Sequence, residues 1–111
     1  MAVKDLKYAA LYDVYGGLLS EKQSYALEMY YCDDLSLAEI AEHIGITRQG
    51  VRDQIKHAEE ELERFEEKLG LARKSEELRK ILSDIDRAAE GSELGEKIKS
   101  LTESASQLID N

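Results

Sequence analysis

Proline and tryptophan are absent from this 111-residue chain, and cysteine and phenylalanine occur once each. Without proline, no helix is interrupted by a residue that lacks the backbone N–H. The single cysteine, Cys32, excludes an intrachain disulfide and suits a reducing compartment. No apolar run is long enough to cross a bilayer or to act as a secretory signal. We therefore expect a cytoplasmic protein with no membrane insertion.

The residue sets that support catalysis or metal binding are also missing. No glycine-rich loop is followed by Lys-Ser or Lys-Thr, the arrangement that cradles nucleotide phosphates. The only histidines, His43 and His57, have no metal-ligand spacing with each other or with Cys32. Both histidines are predicted to lie on helix surfaces. We predict no catalytic residue, no metal and no cofactor, and interpret the protein as not an enzyme.

Basic residues are outnumbered, and the formal net charge is −9. Duplex phosphates repel such a body, which argues against non-specific nucleic-acid binding and against a membrane surface. The charge is uneven, because residues 1–57 carry nine acidic and six basic side chains, whereas residues 58–111 carry fifteen and nine. Three of the first six bases, Arg48, Arg52 and Lys56, cluster on one short segment.

Strong helix formers dominate the chain, and no stretch alternates apolar and polar residues for long enough to indicate a strand, so we predict an all-α fold. The first helix is expected over residues 3–15, with two apolar flanks that are formed by Val3, Leu6, Ala10 and Val14, together with Tyr8, Leu11 and Tyr15. Gly16-Gly17 should end it.

Ser20 is predicted to cap a second helix that reaches about Cys32, with Gln23 completing a capping box. This helix is apolar nearly all round, which favours a central position in the core. Its tyrosines are interpreted as core residues rather than base-stacking groups, and Cys32 as a buried small hydrophobe.

The segment SLAEIAEHIGITRQGVRDQIK, residues 36–56, has the pattern of a helix-turn-helix. Ser36 and Glu39 can form a capping box. Gly45 follows where the first apolar stripe stops, and glycine can adopt the positive φ that ends a helix. Thr47 can cap the second helix, which carries Val51 and Ile55 inward. This turn serves either nucleic-acid binding or plain packing and protein binding.

The second motif helix should continue to about Leu69, because Val51, Ile55, Ala58, Leu62, Phe65 and Leu69 follow heptad spacing. Beyond Gly70, Ser75 is expected to cap a fifth helix that Gly91 ends, and Ser92 or Glu93 to open a sixth. We predict a helix-turn-helix domain over residues 1–70. Residues 71–111 would be a helical extension that packs on this core or on a second subunit.

The acidic run Glu59–Glu67 allows two interpretations. It is either a solvated face, or a surface that keeps the arm away from phosphates or presents it to a basic protein. The nucleic-acid candidates lie on the exposed face of the second motif helix, where arginine can pair with guanine, glutamine with adenine, and a helix N-terminus with phosphate. These candidates are Thr47, Arg48, Gln49, Arg52 and Lys56, and Lys22 is a further possible phosphate contact.

The segments YGGLLSEKQ, YYCDDLSLAEIAE and TRQGVRDQIKHAEEELERFEEKLGL resemble the YlxM-type proteins of Gram-positive bacteria and mycoplasmas. The resemblance covers about residues 11–71. It implies a fold like region 4 of sigma factors, which reads promoter DNA, and an accessory or regulatory role beside the signal recognition particle GTPases. Gly50 stands where alanine is usual, and Arg52 where an aromatic is common.

Two functions remain open on the sequence. The first is a helix-turn-helix regulator that binds DNA, or alternatively the particle's RNA. The second is a protein-binding accessory of the particle GTPases or RNA, whose acidic arm docks on a basic domain. A homodimer is expected in either case, because two-fold symmetry suits helix-turn-helix readers and the C-terminal apolar stripes need cover.

Overall fold

The computed structural model describes residues 4–110, which form helices and their connections without any strand, so the all-α prediction is confirmed. The helices are α1 (Leu6–Tyr15), α2 (Glu21–Leu27), α3 (Leu37–Ile44), α4 (Arg48–Leu69), α5 (Leu71–Ala89) and α6 (Gly95–Asp110). A short 3₁₀ turn, Gly16–Leu18, follows α1, and a wider π-type turn over Glu28–Cys32 prolongs α2. The chain divides into two compact units. The first unit ends at Gly70, and the second begins at Leu71.

Side-chain caps define where the helices of the first unit begin. Ser20 and Ser36 each accept a hydrogen bond from the backbone N–H three residues later, and the side chains of Gln23 and Glu39 accept one from the backbone N–H of the cap residue. Both predicted capping boxes are therefore confirmed. Gly70 ends α4 with φ +62°, a left-handed conformation that glycine adopts without a side-chain clash.

The core of the first unit forms where α1, α2 and α3 pack against α4. The fully inaccessible side chains include Leu27 from α2, Ile40 from α3, and Val51 and Leu62 from α4. The predicted inward face of α4 is confirmed through Leu62, but Leu69 at its end is exposed. Burial of this face, rather than helix propensity alone, holds the long helix in place.

Of the two apolar flanks predicted for α1, only one is buried. Leu6 is 79% exposed and Val14 is 39% exposed, whereas Leu11 and Tyr15 are buried. The helix therefore turns its other flank toward α4, and Val3 lies outside the described residues. The helix has apolar residues on both sides, so its own pattern could not decide which side faces inward.

The prediction that Cys32 is buried was also wrong, because its side chain is exposed. The π-type turn over Glu28–Cys32 shifts the end of α2 by a residue relative to a regular helix, and Met29 is the residue of that turn that is buried. Residual desolvation, together with the carboxylates of Asp13 and Glu28, raises the pKa of the Cys32 thiol. The core role of α2 is confirmed for Ala26 and Leu27, while Tyr25 is 55% exposed.

The second unit is an antiparallel pair of helices. Arg79 Nη2 on α5 lies 2.7 Å from Asp110 Oδ1 on α6, and Thr102 Oγ1 donates a 2.5 Å hydrogen bond to Asp86 Oδ1. Helix α5 starts directly after Gly70, so Ser75 lies inside it and the predicted cap was wrong. Helix α6 starts at Gly95, after a hydrogen-bonded turn, rather than at Ser92 or Glu93.

Candidate nucleic-acid interface

Helices α3 and α4 form a helix-turn-helix joined by Gly45, Ile46 and Thr47. Gly45 has φ +78°, and the N–H groups of Gly45 and Ile46 both donate to the carbonyl of Ala41, at 2.9 and 3.2 Å. Both bonds go to one carbonyl group near the end of α3, and they close the helix at its C-terminus. Ile40 and Ala41 are buried on the side of α3 that packs against α4. The hydrogen bonds at the turn and the packing of Ile40 and Ala41 together fix the angle between α3 and α4.

Thr47 sets the first residue of α4. Its hydroxyl accepts a 3.0 Å hydrogen bond from the N–H of Gly50, and its carbonyl accepts one from Val51 at 3.0 Å. Thr47 is exposed. The backbone N–H groups at the start of α4 have no carbonyl partner within the helix, so they are open to solvent. Such a terminus carries a partial positive charge that attracts anions.

The candidate side chains of α4 are exposed on one side of the helix. Arg48, Arg52 and Lys56 are exposed and follow one another at four-residue intervals. They span roughly 12 Å along the axis at 1.5 Å per residue, which matches the width of a duplex major groove. Within the part of the chain that the structure describes, none of these three forms an ion pair. We call these three residues the cationic strip.

Gln49 lies next to the cationic strip and is already engaged. Its Nε2 donates a 3.0 Å hydrogen bond to Asp53 Oδ1, one turn further along α4. Both side chains are exposed, so a ligand can compete for this bond. Asp53 also places one negative charge beside the strip, which would disfavour a phosphate at that point of the helix.

A groove of about 770 Å³ opens beside the start of α4. Arg48, Gln49 and Arg52 form one wall, and the N-terminal turn of α3 and Tyr30 form others. Lys4 also lines the groove. Its Nζ lies 4.1 Å from the centre of the Tyr30 ring and donates to the carbonyl of Tyr30 at 2.6 Å. The groove therefore brings a third cation beside the two arginines, together with the carboxylates of Asp34 and Glu39.

Sequence reasoning missed Lys4 because its partners are distant in the chain. Its Nζ also lies 2.9 Å from Asp34 Oδ1 and 3.2 Å from the carbonyl of Leu35. No local spacing relates residue 4 to residues 30–35, so only the packing of the N-terminal segment could reveal it. Lys22, by contrast, lines a different groove together with Gly16, Gly17 and Ile44.

The acidic run on α4 is used within the first unit. The hydroxyls of Tyr8 and Tyr15 donate to Glu63 Oε1 and Glu66 Oε1, each at 2.6 Å. The Tyr31 hydroxyl donates a short hydrogen bond to Glu59 Oε2. These tyrosine–glutamate pairs connect α1 and the end of α2 to α4. The run is thus neither wholly solvated nor wholly free to dock on a partner.

The pKa values of two of these glutamates are shifted in opposite directions. Hydrogen bonds from Tyr8 and Lys7 lower the pKa of Glu63, which is largely solvated. Burial raises the pKa of Glu59, against the opposing effect of the hydrogen bond from Tyr31. Burial and the Glu59 carboxylate together raise the pKa of the Tyr31 hydroxyl, so it keeps its proton and acts as a donor.

His43 and His57 are both exposed, as predicted. Between residues 4 and 110, no group of three histidine, cysteine, aspartate or glutamate side chains is placed to hold a metal ion. None of the helices in that range is both long and apolar enough to traverse a lipid bilayer.

A glycine-jointed helix pair with an exposed basic side on its second helix defines a helix-turn-helix protein. The family of helix-turn-helix proteins described as YlxM / p13 like matches residues 2–103, and the chain belongs to this family. It is a family of helix-turn-helix proteins rather than of enzymes. The resemblance seen in the sequence is thereby confirmed, and it extends well beyond Leu71.

Individual relatives agree with this assignment. A protein of Halalkalibacterium halodurans is 42% identical over 108 residues, covering 97% of this chain and 99% of the relative. YlxM of Bacillus subtilis is 42% identical over 98 residues, covering 88% and 89%. A protein of Thermoanaerobacter sp. strain X514 is 50% identical over 84 residues, covering 76% and 69%.

Proposed function

We propose that this protein is a cytoplasmic regulatory protein that binds duplex DNA as a homodimer, through the exposed side of α4. Arg48 and Arg52 would read base edges in the major groove, with Gln49 beside them. Thr47 and Lys56 would contact phosphates on either side. The observation that carries the proposal is the cationic strip, three unpaired and exposed basic residues on the second helix of the motif.

The acidic remainder of the molecule supports a selective rather than a general binder. At net charge −9, non-specific attraction to phosphates is weak, so binding must come from a few well-placed contacts. A bidentate arginine–guanine contact contributes roughly 1–3 kcal/mol of discrimination. Two such contacts would contribute roughly 2–6 kcal/mol of discrimination in each subunit, and a homodimer would present both sets.

The cellular setting we propose is the signal recognition particle pathway, and this part rests on the family resemblance alone. RNA of the particle is then the alternative nucleic acid. The rival in which the acidic arm docks on a basic GTPase domain is weakened by the tyrosine–glutamate pairs, since Glu59, Glu63 and Glu66 already accept hydrogen bonds.

The test begins with selection from a random duplex library, followed by fluorescence anisotropy of the selected duplex from about 50 to 250 mM salt. The double variant Arg48→Ala/Arg52→Ala should bind the selected duplex at least tenfold more weakly and lose most of its preference for that duplex over random sequence, because two base contacts are lost. Its far-UV circular dichroism should match that of the wild type, since both side chains are exposed.

The matched control is Arg64→Ala/Arg87→Ala, which removes the same charge from two exposed arginines elsewhere. This control should bind like the wild type. Equal affinity of the two double variants would show that the cationic strip does not read DNA. A salt-insensitive complex with a particle GTPase that forms without nucleic acid would replace this proposal with the protein-binding one.

A further inference from the structure

The second unit exposes seven large aliphatic side chains. Each is between 42% and 78% exposed, and although single exposed leucines are normal on a protein surface, a contiguous set of them marks an interaction site. We call this set the aliphatic face. It consists of Leu71, Leu78, Ile81 and Ile85 on α5, Leu94 in the turn before α6, and Leu101 and Leu108 on α6.

The residues between α5 and α6 are of mixed character, and three large aliphatic side chains, Leu82, Ile98 and Ile109, are half-buried there. The less exposed positions include Ser75, Asp86 and Ala89 on α5, and Thr102 and Ala105 on α6. Thr102 is the only fully buried residue between Leu71 and Asp110. The hairpin thus half-buries three large aliphatic side chains and leaves the seven of the aliphatic face exposed.

The two halves of the aliphatic face lie on the same side of the hairpin. On each helix the exposed stripe is displaced by roughly 60°, in the same rotational sense, from the line that faces the partner helix. Because the helices are antiparallel, equal rotations bring both stripes to one side. This arrangement agrees with a groove that both helices line. Its residues include Ile85 and Ala88 on α5, Leu94 just before α6, and Ile98 on α6.

This face is large compared with what monomers expose. At roughly 100 Å² for each side chain it amounts to about 700 Å², above the few hundred Å² of a typical contiguous apolar patch. A standard protein–protein interface buries about 800 Å² on each partner. The aliphatic face is therefore the size of one half of a stable interface.

We propose that the aliphatic face binds the same face of a second copy of this chain, so that two hairpins form a four-helix bundle. Leucine or isoleucine recurs every seven positions along both stripes, at Leu71, Leu78 and Ile85 in the first and at Leu94, Leu101 and Leu108 in the second. The two stripes are equally long, so a two-fold axis between the copies would cover every member of both.

The charge of this region favours an identical partner. Residues 71–111 carry nine acidic and seven basic side chains, a net charge of −2, against −7 for residues 1–70. Two such hairpins repel each other little, whereas a strongly charged partner would gain nothing from an aliphatic surface. The inference rests on the homodimer in the proposed function, and it is independent of nucleic-acid binding.

Sedimentation velocity of the full chain from about 1 to 100 µM tests the inference. The wild type should sediment as a species of twice 12.6 kDa. Leu101→Gln should weaken dimerisation by at least thirtyfold, because two symmetric copies of a buried leucine are lost from one interface. The matched control is Leu18→Gln, since Leu18 is 62% exposed and Leu101 is 63% exposed. This control should remain dimeric.

Leu101→Gln could weaken dimerisation by destabilising the hairpin itself, so hydrogen exchange of the wild type provides a second test. On dilution of the wild type, amides of α5 and α6 should lose protection while those of α4 keep theirs. A wild type that is monomeric at every concentration, or a Leu101→Gln variant that dimerises like Leu18→Gln, would overturn the inference. A dimer that binds no selected duplex would instead refute the nucleic-acid proposal and leave this interface standing.

Discussion

Ile40 is the residue whose truncation best tests how α3 is held against α4. Its side chain is wholly inaccessible, and α3 and α4 pack directly against each other. Ile40→Ala removes three buried carbon atoms, which corresponds to roughly 2.4 kcal/mol of lost burial at about 0.8 kcal/mol each. The cavity that remains raises the expected loss in unfolding free energy to about 3–4 kcal/mol.

Ile46 offers the same chemical change at a site only six residues away. It lies in the turn and is 39% exposed, so Ile46→Ala should cost about 1 kcal/mol. Comparing the two variants removes the contribution of the isoleucine-to-alanine change itself. The difference of about 2–3 kcal/mol then reports burial between α3 and α4.

Urea unfolding followed by near-ultraviolet circular dichroism is the appropriate assay. All six tyrosines lie between residues 8 and 31 and the chain has no tryptophan, so this signal reports the first unit. The midpoint should fall for Ile40→Ala without a change in the slope of free energy against urea. The packing argument fails if Ile40→Ala loses no more stability than Ile46→Ala.

Two further predictions concern the turn and the tyrosine–glutamate pairs. Gly45→Ala should lose about 1 kcal/mol, because φ +78° strains any side chain, whereas Gly17→Ala should be neutral or slightly stabilising. Both sites have open space for the added methyl group, so equal urea midpoints would contradict the role of φ. Glu59→Gln should raise stability at pH 7, because the raised pKa of Glu59 means that its charged form is disfavoured in the folded state. As pH falls, the wild-type carboxyl takes up its proton and the gain should shrink, which urea titrations at several pH values would show. A variant less stable than wild type at pH 7 would mean that the bond from Tyr31 requires the carboxylate.

The helix boundaries were the part most accessible to sequence reasoning. The Ser20 and Ser36 caps and the Gly45 and Gly70 ends were predicted correctly. Each of these signals is completed within about four residues by the chain's own backbone, so the rest of the fold does not need to be known. Ser75 shows the limit of this logic. Helix α5 begins at Leu71, directly after Gly70, and not at the predicted cap Ser75.

Which side of a helix faces inward was less accessible where both sides carry apolar residues. In α4, charged and apolar residues are cleanly separated, and the inward face was predicted through Leu62. In α1 and at the end of α2 they are mixed, and Leu6 and Cys32 were assigned to the wrong environment. Only the helix that packs beside such a segment decides its orientation.

The amino-acid sequence by itself determined the all-helical class, the helix-turn-helix and the cationic strip on α4, because caps, turns and periodic faces are properties of short segments. Tertiary structure alone decided the contacts between distant residues. It brought Lys4 to the groove beside Arg48, joined Tyr15 to Glu66, and turned the leucines of α5 and α6 to one open side. The physical reason is that such pairs depend on how whole helices pack, and no local energy term records that packing.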